Sequence, residues 1–262
     1  MKIIHLSDLH IGKSSNHHKT SRIVDWILEN QEAHQAEAVV ISGDLVDDGA
    51  LWQFHRAQKL LDRLEEAGLP VLVVPGNHDY GMMGIAESRD SQAWFAELIA
   101  GFDNYPHLEI LDGQAFVLLD SMGQEIENIE FWGAQGMLGR RQLQELDRML
   151  DELKANPAVQ TITVVMHHHP FDFAYFHGLR DHADLKSMIT RPVDEEPRVN
   201  CLLFGHKHIE KRFNDPDENK EKLYGINLIY SAGSAVERNE EGKMSVAVID
   251  LDYFTIEHYS LR

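Results

Sequence analysis

The chain has 262 residues, of which 43% are hydrophobic and 26% are charged, and its formal net charge is −19. These values suit a soluble globular protein with one large domain, or two small ones, around a real core. The strong negative charge disfavours nucleic acid and anionic membranes as partners. The single cysteine, Cys201, excludes a disulfide within the chain and is expected to be a buried structural thiol.

Neither a leader peptide nor a membrane span is predicted. The amino-terminal run "MKIIHLSDLH" is too short and too polar for a signal peptide. Apolar stretches stay well below the roughly 20 residues that cross a bilayer. We therefore expect a cytoplasmic protein with no membrane partner, and we leave its oligomeric state open, with a homodimer as one option.

In the first half of the chain, short apolar runs alternate with amphipathic patterns. Helical spacing predicts three helices, the first capped by Thr20 or Ser21; they are "TSRIVDWILENQEAH", "LWQFHRAQKLLDRLEEAG" and "SQAWFAELIAGF". Strands are predicted for "KIIHLS", "AEAVVISG" and "PVLVVPG". This half is therefore predicted to have βαβαβ order.

The second half is richer in strands. An Asp112-Gly113 turn joins the predicted strands "HLEIL" and "AFVLLDS", and "GRRQLQELDRMLDELKA" predicts a helix. The remaining predicted strands are "QTITVVMH", "NCLLFGH", "INLIYSAGS", "KMSVAVIDLD" and "YFTIEHY". Together the halves predict an α+β fold, a two-sheet sandwich flanked by helices in four layers (α/β/β/α), as a single domain over residues 1–262.

The longest irregular stretch, from about Phe171 to Arg198, lies between two predicted strands. A loop of this length in a compact domain is usually functional, so we expect it to wall a substrate pocket. Arg180 could bind a phosphate or carboxylate there, with a solvent-exposed side chain as the alternative. Other polar residues of this stretch are His177, His182, Asp184 and Lys186. Met82 and Met83 could line an opposite wall, or simply pack.

Polar motifs follow five of the predicted strands. In chain order they are Asp8-x-His10, Gly43-Asp44, Gly76-Asn77-His78-Asp79, His167-His168-His169 and Gly205-His206-x-His208. Each motif alone is a weak signal, but ligand sites of open α/β folds lie at the carboxyl ends of strands. Five signals in this order therefore predict one site.

The side chains of these motifs are oxygen and nitrogen donors without sulfur. Such donors suit Mn, Fe, Zn, Co or Ni better than Ca or Cu(I). The candidate ligands are two carboxylates, one amide and four imidazoles. These seven exceed what one tetrahedral ion needs but suit two divalent ions that share a carboxylate. With Asp8, Asp44 and a bridging hydroxide subtracted, two such ions leave a site near +1 that can hold a phosphate.

The ordered set from Asp8 to His208 resembles the calcineurin-like metallophosphoesterase superfamily. This resemblance implies a two-sheet sandwich and a metal-dependent phosphoric ester hydrolase with a binuclear metal centre. It implies that Asp44 bridges two ions. The residues that it assigns to one ion are Asp8, His10 and His208, and those that it assigns to the other are Asn77, His167 and His206.

The resemblance also implies catalytic roles. His78 would protonate the leaving-group oxygen as a general acid, and a hydroxide bridging the metals would attack in line. Asp47 would orient His78, with a plain surface aspartate as the alternative. A structural role is the alternative for His78. We expect Asp79 to secure its turn through hydrogen bonds to the backbone.

Differences between this sequence and known branches of the family narrow the range of predicted functions. Asp48 stands where protein phosphatases of this superfamily carry an arginine, and Asp79 replaces their glutamate, which argues against a protein phosphatase. The opening "HLSDLHIGK" is similar to the DNA-repair nucleases, but those chains are longer, and this one is acidic. The length and the "HHHP" block look most like bacterial cyclic-nucleotide and glycerophosphodiester phosphodiesterases.

The predicted function is therefore hydrolysis of cyclic nucleotides or other small phosphodiesters. A phosphomonoesterase acting on nucleotides or other small phosphates is the alternative, and a nuclease ranks below it. A non-catalytic scaffold ranks last, because all seven ligands are present.

The histidine triplet holds one predicted ligand. In an extended segment His167 and His169 share a face, so geometry alone leaves them tied. The family pattern assigns the ligand to the first histidine after the strand, His167. We expect His168 to pack or hydrogen-bond behind the site, and we leave His169 open between the substrate and the loop.

Overall fold

Two β-sheets pack face to face, with helices on their outer surfaces. The computed structural model describes residues 1–82, 86–122, 135–170, 178–190, 197–213, 225–237 and 244–261. The first sheet holds β1 (Lys2–Leu6), β2 (Ala36–Ser42), β3 (Val71–Val74), β12 (Met244–Asp250) and β13 (Thr255–Leu261). Its order is β13-β12-β1-β2-β3; β1, β2 and β3 run parallel, and β12 pairs with β1 antiparallel.

The second sheet has the order β10-β11-β9-β8-β7-β6. Its strands are β6 (His107–Leu111), β7 (Gln114–Leu118), β8 (Thr161–Val165), β9 (Cys201–Phe204), β10 (Lys211–Arg212) and β11 (Leu228–Ser231). The central strands β7, β8, β9 and β11 are parallel, whereas β6 and β10 are antiparallel edges. A separate ribbon pairs β4 (Gly81–Met82) with β5 (Ala86–Glu87).

The helices are α1 (Asn16–Glu29), α2 (Gln31–His34), α3 (Leu51–Glu66), α4 (Arg89–Phe95), α5 (Gly139–Ala155) and α6 (His182–Ile189). The α4 helix continues as a π-helical turn, Ala96–Ala100. Among the described helices, none combines the length and the apolar character needed to cross a bilayer.

Three layers of buried side chains confirm the predicted four-layer sandwich. Residues such as Ile3, Val40, Phe116 and Leu203 fill the space between the two sheets. A second cluster lies between the first sheet and the helices α1 and α3, and a third lies between the second sheet and the helices α5 and α6. Because the central strands are buried on both faces, their sequences are mainly apolar, which is the pattern that predicted them.

Helix α1 differs from its prediction at the amino terminus. It begins at Asn16, and the Thr20 hydroxyl lies inside it, where it donates to the Asn16 carbonyl at 2.8 Å. The predicted cap at Thr20 or Ser21 is therefore wrong. Asn16 and Thr20 lie on the buried face with Ile23 and Ile27, so polar residues hid the first turn of the apolar pattern.

The stretch predicted as irregular contains helix α6, whose Leu185 and Ile189 are buried. Arg198, at its end, donates to the Asp151 carboxylate and to the carbonyls of Asp147 and Met188, so it ties α6 to α5. Residues 171–177 and 191–196, with His177 among them, lie outside the described residues, as does Met83. Of the predicted lining residues, Arg180 is exposed, and the His182 ring contacts the Leu179 carbonyl at 2.9 Å.

The predicted turn between β6 and β7 is confirmed. Asp112 and Gly113 both have positive φ, 46° and 79°, as expected for a two-residue hairpin turn. Cys201 is fully buried in β9, as predicted for a structural thiol.

Candidate metal centre

The carboxyl ends of five parallel strands deliver the predicted ligands to one place. Asp8, Asp44 and Asn77 follow β1, β2 and β3 of the first sheet. His167 and His206 follow β8 and β9 of the second sheet. The site therefore lies where the ends of the two sheets meet, so neither sheet alone supplies all of its ligands.

Left-handed backbone marks the ligand loops. Residues other than glycine rarely adopt positive φ, and each such residue costs roughly 1–3 kcal/mol unless its surroundings hold it. The conformation is held here by hydrogen bonds such as His10 N to the Asp44 carbonyl at 2.9 Å. Five of the seven predicted ligands adopt it: Asp8 (52°), His10 (45°), Asp44 (51°), His206 (77°) and His208 (53°).

One half of the centre groups Asp8, His10 and His208, whose ligand atoms lie close enough to hold one ion. The Nε2 atom of His208 lies 3.3 Å from Asp8 Oδ1 and 3.1 Å from His10 Nε2. The other ring nitrogen of His10, Nδ1, lies 3.2 Å from Asp47 Oδ1. A proton on His10 Nδ1 is therefore favoured, and its Nε2 lone pair points into the site. We call this group the open half.

The other half groups Asn77, His167 and His206. Asn77 Oδ1 lies 3.1 Å from both His167 Nε2 and His206 Nδ1, and these two nitrogens are 3.2 Å apart. His167 donates from Nδ1 to the Ser42 carbonyl at 2.8 Å, so Nε2 is the nitrogen that faces the site. The side chain of His167 is fully buried. We call this group the enclosed half.

Asp44 lies between the halves. Its Oδ2 is 3.3 Å from His167 Nε2 and 3.7 Å from His10 Nε2, and its Oδ1 accepts from the His78 backbone N–H at 2.9 Å. A side chain at Gly76 would collide with the Asp44 carboxylate, so this position has room only for glycine. One carboxylate can thus reach an ion in either half.

These donors fit two divalent cations. The lone pairs of several imidazoles, two carboxylates and an amide oxygen converge at 3.1–3.7 Å from one another. Acceptor atoms that face each other at such distances repel unless a proton or a cation lies between them. The donor chemistry is nitrogen and oxygen only, which suits first-row divalent metals.

The pKa shifts of Asp44 and His167 show where a cation would compete with protons. Burial alone would raise the pKa of Asp44, but the neighbouring His167 holds it well below its ordinary value. Burial alone would lower the pKa of His167, but Asp44 raises it to about 9. A metal that binds His167 must displace this proton, so metal affinity is expected to rise with pH.

His78 lies on the rim, and Asp47 contacts it mainly through the main chain. His78 Nδ1 donates to the Asp47 carbonyl at 2.7 Å, while the Asp47 carboxylate is 4.0 Å from Nδ1 and closer to His10. The His78 side chain is 25% exposed, and its ring packs edge-on against His10 at 4.6 Å. The hydrogen bond from His10 lowers the pKa of Asp47 despite partial burial.

Asp79 secures its turn as predicted. Its carboxylate accepts from the backbone N–H groups of Val46 and Gly76, each at 2.8 Å. Burial, with the nearby Asp44 charge, raises the pKa of Asp79 to about 7.

The remaining triplet residues are buried behind the ligands. His168 Nδ1 lies 2.7 Å from the Ser121 hydroxyl, and its ring centre is 4.4 Å from that of His206, which confirms the prediction that it packs behind the site. His169 packs edge-on against Phe204 at 4.8 Å and is buried. Its Nε2 lies 3.4 Å from the Ser231 hydroxyl.

Two residues near the open half were missed from the sequence. Ser234 donates to the Asp8 carbonyl at 2.8 Å, and a Glu237 carboxylate oxygen lies 3.8 Å from His208 Nδ1. Both lie just after the end of strand β11 (Leu228–Ser231), as the predicted ligands lie after the ends of their strands.

Comparison with known proteins gives one family and several relatives. The sequence profile described as "Calcineurin-like phosphoesterase" matches residues 1–210. A probable cyclic nucleotide phosphodiesterase of Ruthia magnifica is 20% identical over 249 residues, which cover 92% of this chain and 89% of the relative. A cAMP/cGMP dual specificity phosphodiesterase of Mycobacterium tuberculosis is 26% identical, with 79% and 61% covered.

A shorter match leads to a nuclease. The D subunit of the SbcCD nuclease of Escherichia coli is 32% identical over 100 residues, which span 36% of this chain but only 25% of that subunit. Among solved structures, a dimetal phosphatase from Danio rerio superposes with a TM-score of 0.67 at 15% identity and covers 99% of this chain and 95% of its own. This structural likeness supports the fold.

Proposed function

Because the chain belongs to the calcineurin-like phosphoesterase family, we propose that it hydrolyses small phosphodiesters, with cyclic nucleotides first among them. The observation that carries the proposal is that six predicted metal ligands converge around the seventh, Asp44, with His78 on the rim. The two phosphodiesterase relatives support the substrate class, because their matches extend over most of this chain.

The two halves would each hold one ion. In this assignment Asp8, His10 and His208 hold the ion of the open half. Asn77, His167 and His206 hold the ion of the enclosed half, and Asp44 is shared. Two divalent ions bound there lower the pKa of coordinated water and stabilise the charge that develops on a phosphoryl group.

His78 is the residue that we assign to the leaving group. Its Nδ1 is occupied by the Asp47 carbonyl, so Nε2 is the nitrogen free to carry a proton to the ester oxygen. Contact with the His10 ring keeps His78 beside the open half. Asp47 serves both histidines, through its carbonyl to His78 and through its carboxylate to His10.

The test is a phosphoester panel with Mn-reconstituted enzyme. It includes cyclic AMP, cyclic GMP, glycerophosphodiesters, mononucleotides, nucleoside bisphosphates and bis-p-nitrophenyl phosphate. We expect turnover of at least one diester, and we expect Asp44→Asn to lose more than the roughly 10–100-fold that removal of outer partners of metal ligands costs. Unchanged turnover in Asp44→Asn would rule out the proposal. A preference for monoesters would favour the phosphomonoesterase alternative instead.

A second candidate is a nuclease, favoured by the match to the SbcCD subunit. Against it stands the net charge of −19, which opposes binding to a polyanion. Retention on immobilised duplex DNA at low salt, with a steep loss as salt rises, would favour this candidate. No retention at low salt would exclude it.

A further inference from the structure

We infer that Glu237 is a positioning residue for the metal ligand His208. It lies beyond residue 210, where the match to the family profile ends. The inference rests on the metal centre of the proposed function, but it does not depend on which phosphoester is hydrolysed. It assigns the open half a carboxylate partner from the carboxyl-terminal part of the chain.

The first argument is a pattern shared by the other Nε2 ligands. His10 places Nε2 in the site and Nδ1 beside the Asp47 carboxylate, at 3.2 Å. His167 likewise places Nε2 in the site and donates from Nδ1 to the Ser42 carbonyl. In both cases an oxygen lies beside Nδ1 and favours a proton there, which leaves Nε2 as the nitrogen available to a metal.

His208 repeats this pattern with Glu237. Its Nε2 faces Asp8 and His10 inside the site, and its Nδ1 faces Glu237 Oε2 at 3.8 Å. This separation is longer than a hydrogen bond, so the carboxylate acts on the ring through its charge. A negative charge on this side favours the proton on Nδ1 and makes Nε2 a stronger donor to a metal.

The second argument is that Glu237 is itself held in place. Lys13 Nζ lies 3.1 Å from its Oε2, and Asn16 Nδ2 donates to its Oε1 at 3.0 Å. Both holding groups come from the segment that follows the ligand His10. The carboxylate is therefore held by the loop after His10 and by the first residue of helix α1.

The third argument is that the segment just before Glu237 also contacts Asp8, through the side chain of Ser234. The Ser234 hydroxyl accepts from the Glu237 N–H at 3.0 Å and donates to the Asp8 carbonyl at 2.8 Å. Lys19 donates to the Val236 carbonyl at 2.8 Å and fixes the same segment from helix α1. The segment thus supports two ligands of one ion, Asp8 and His208, and we expect its effect to be confined to that ion.

The experiment is a metal titration of full-length Glu237→Gln. Chelator-treated protein is dialysed against graded Co²⁺, and bound metal and the Co²⁺ absorption spectrum give two dissociation constants. We expect one site to weaken by about 10–100-fold, the range for outer partners of ligating histidines, while the other keeps its affinity. Glu237→Asp should recover part of the loss. Glu257→Gln, an exposed glutamate bonded to the Tyr259 hydroxyl, is the matched control and should bind like the wild type.

A second variant controls for misfolding of Glu237→Gln. Lys13→Met leaves Glu237 in place but removes one of its clamps, and should weaken the same site by a smaller factor. Melting temperatures of the metal-free variants should match the wild type.

The outcomes separate the inference from the proposed function. Two unchanged constants in Glu237→Gln would overturn the inference alone, as would equal weakening of both sites. Wild-type protein that binds no pair of ions would overturn both.

Discussion

The two halves of the metal centre differ in the burial of their histidines and in the groups that contact the outer ring nitrogens. In the enclosed half, the His167 side chain is fully buried and its outer nitrogen contacts a main-chain carbonyl, that of Ser42. In the open half, the His208 side chain is 35% exposed, and the outer nitrogens of His10 and His208 face carboxylates of other residues. A main-chain partner cannot be changed by substitution, whereas side-chain partners can. We therefore expect the enclosed half to be the fixed part of the centre and the open half the adjustable part.

The largest expected effect separates neighbouring histidines of the triplet. His167→Ala removes a proposed ligand of the enclosed half, and we expect it to lose one ion and more than about 100-fold in turnover. His168→Ala leaves every predicted ligand in place and should keep both ions. Metal analysis and hydrolysis of bis-p-nitrophenyl phosphate measure both variants. If His168→Ala lost an ion and His167→Ala did not, the ligand would be His168 rather than His167.

A smaller effect concerns the order in which the ions leave. The exposed edge of His208 gives a chelator access to the open half, whereas His167 of the enclosed half is fully buried. Brief treatment with a chelator should therefore yield a species with about one ion per chain before both are lost. The Co²⁺ spectrum followed over time measures this. Simultaneous loss of both ions would contradict the difference between the halves.

The smallest expected effect is a dependence of stability on pH, and it arises behind the open half. His5 is buried in β1 beside the Ser42 hydroxyl at 2.9 Å, and burial lowers its pKa from 6.5 to about 3, although Asp8 opposes this shift. Between these values the unfolded chain binds a proton on His5 and the folded chain does not. The free energy of unfolding of metal-free protein should therefore fall with falling pH, by about 1.4 kcal/mol per unit from this residue.

The variant His5→Gln tests this slope. The glutamine side chain does not titrate in this range. The free energy of unfolding of the variant should therefore fall less steeply with falling pH than that of the wild type. Urea unfolding of both proteins at several pH values between 6.5 and 4.5 gives the comparison. Parallel pH profiles would show that His5 does not carry the effect.

Much of the fold and the assembly of the site could be predicted from the sequence. Strands such as β2 and β8 are mainly apolar, and the polar motifs Gly43-Asp44 and His167-His168-His169 follow them closely. Both features are local, so they can be read without knowing what packs against them.

Other features of the site could not be predicted, because they depend on contacts between segments that are distant in the sequence. The Asp47 carboxylate lies nearer to His10 than to His78, and Glu237 meets His208 across the sheet ends. No local pattern reports such pairs. Helix α6 was missed because only a short apolar face, with Leu185 and Ile189, distinguishes it from loop sequence.

The place of β12 beside β1 limits how this protein can be shortened. Strand β1 lies in the middle of the first sheet, paired with β2 on one side and with β12 on the other. A chain cut after residue 210 would lose β12 and leave one edge of β1 with unpaired N–H and C=O groups, a template for intermolecular pairing and aggregation. The segment that carries the family's motifs is therefore not expected to fold as an independent unit, and engineering of the site needs the chain through β13.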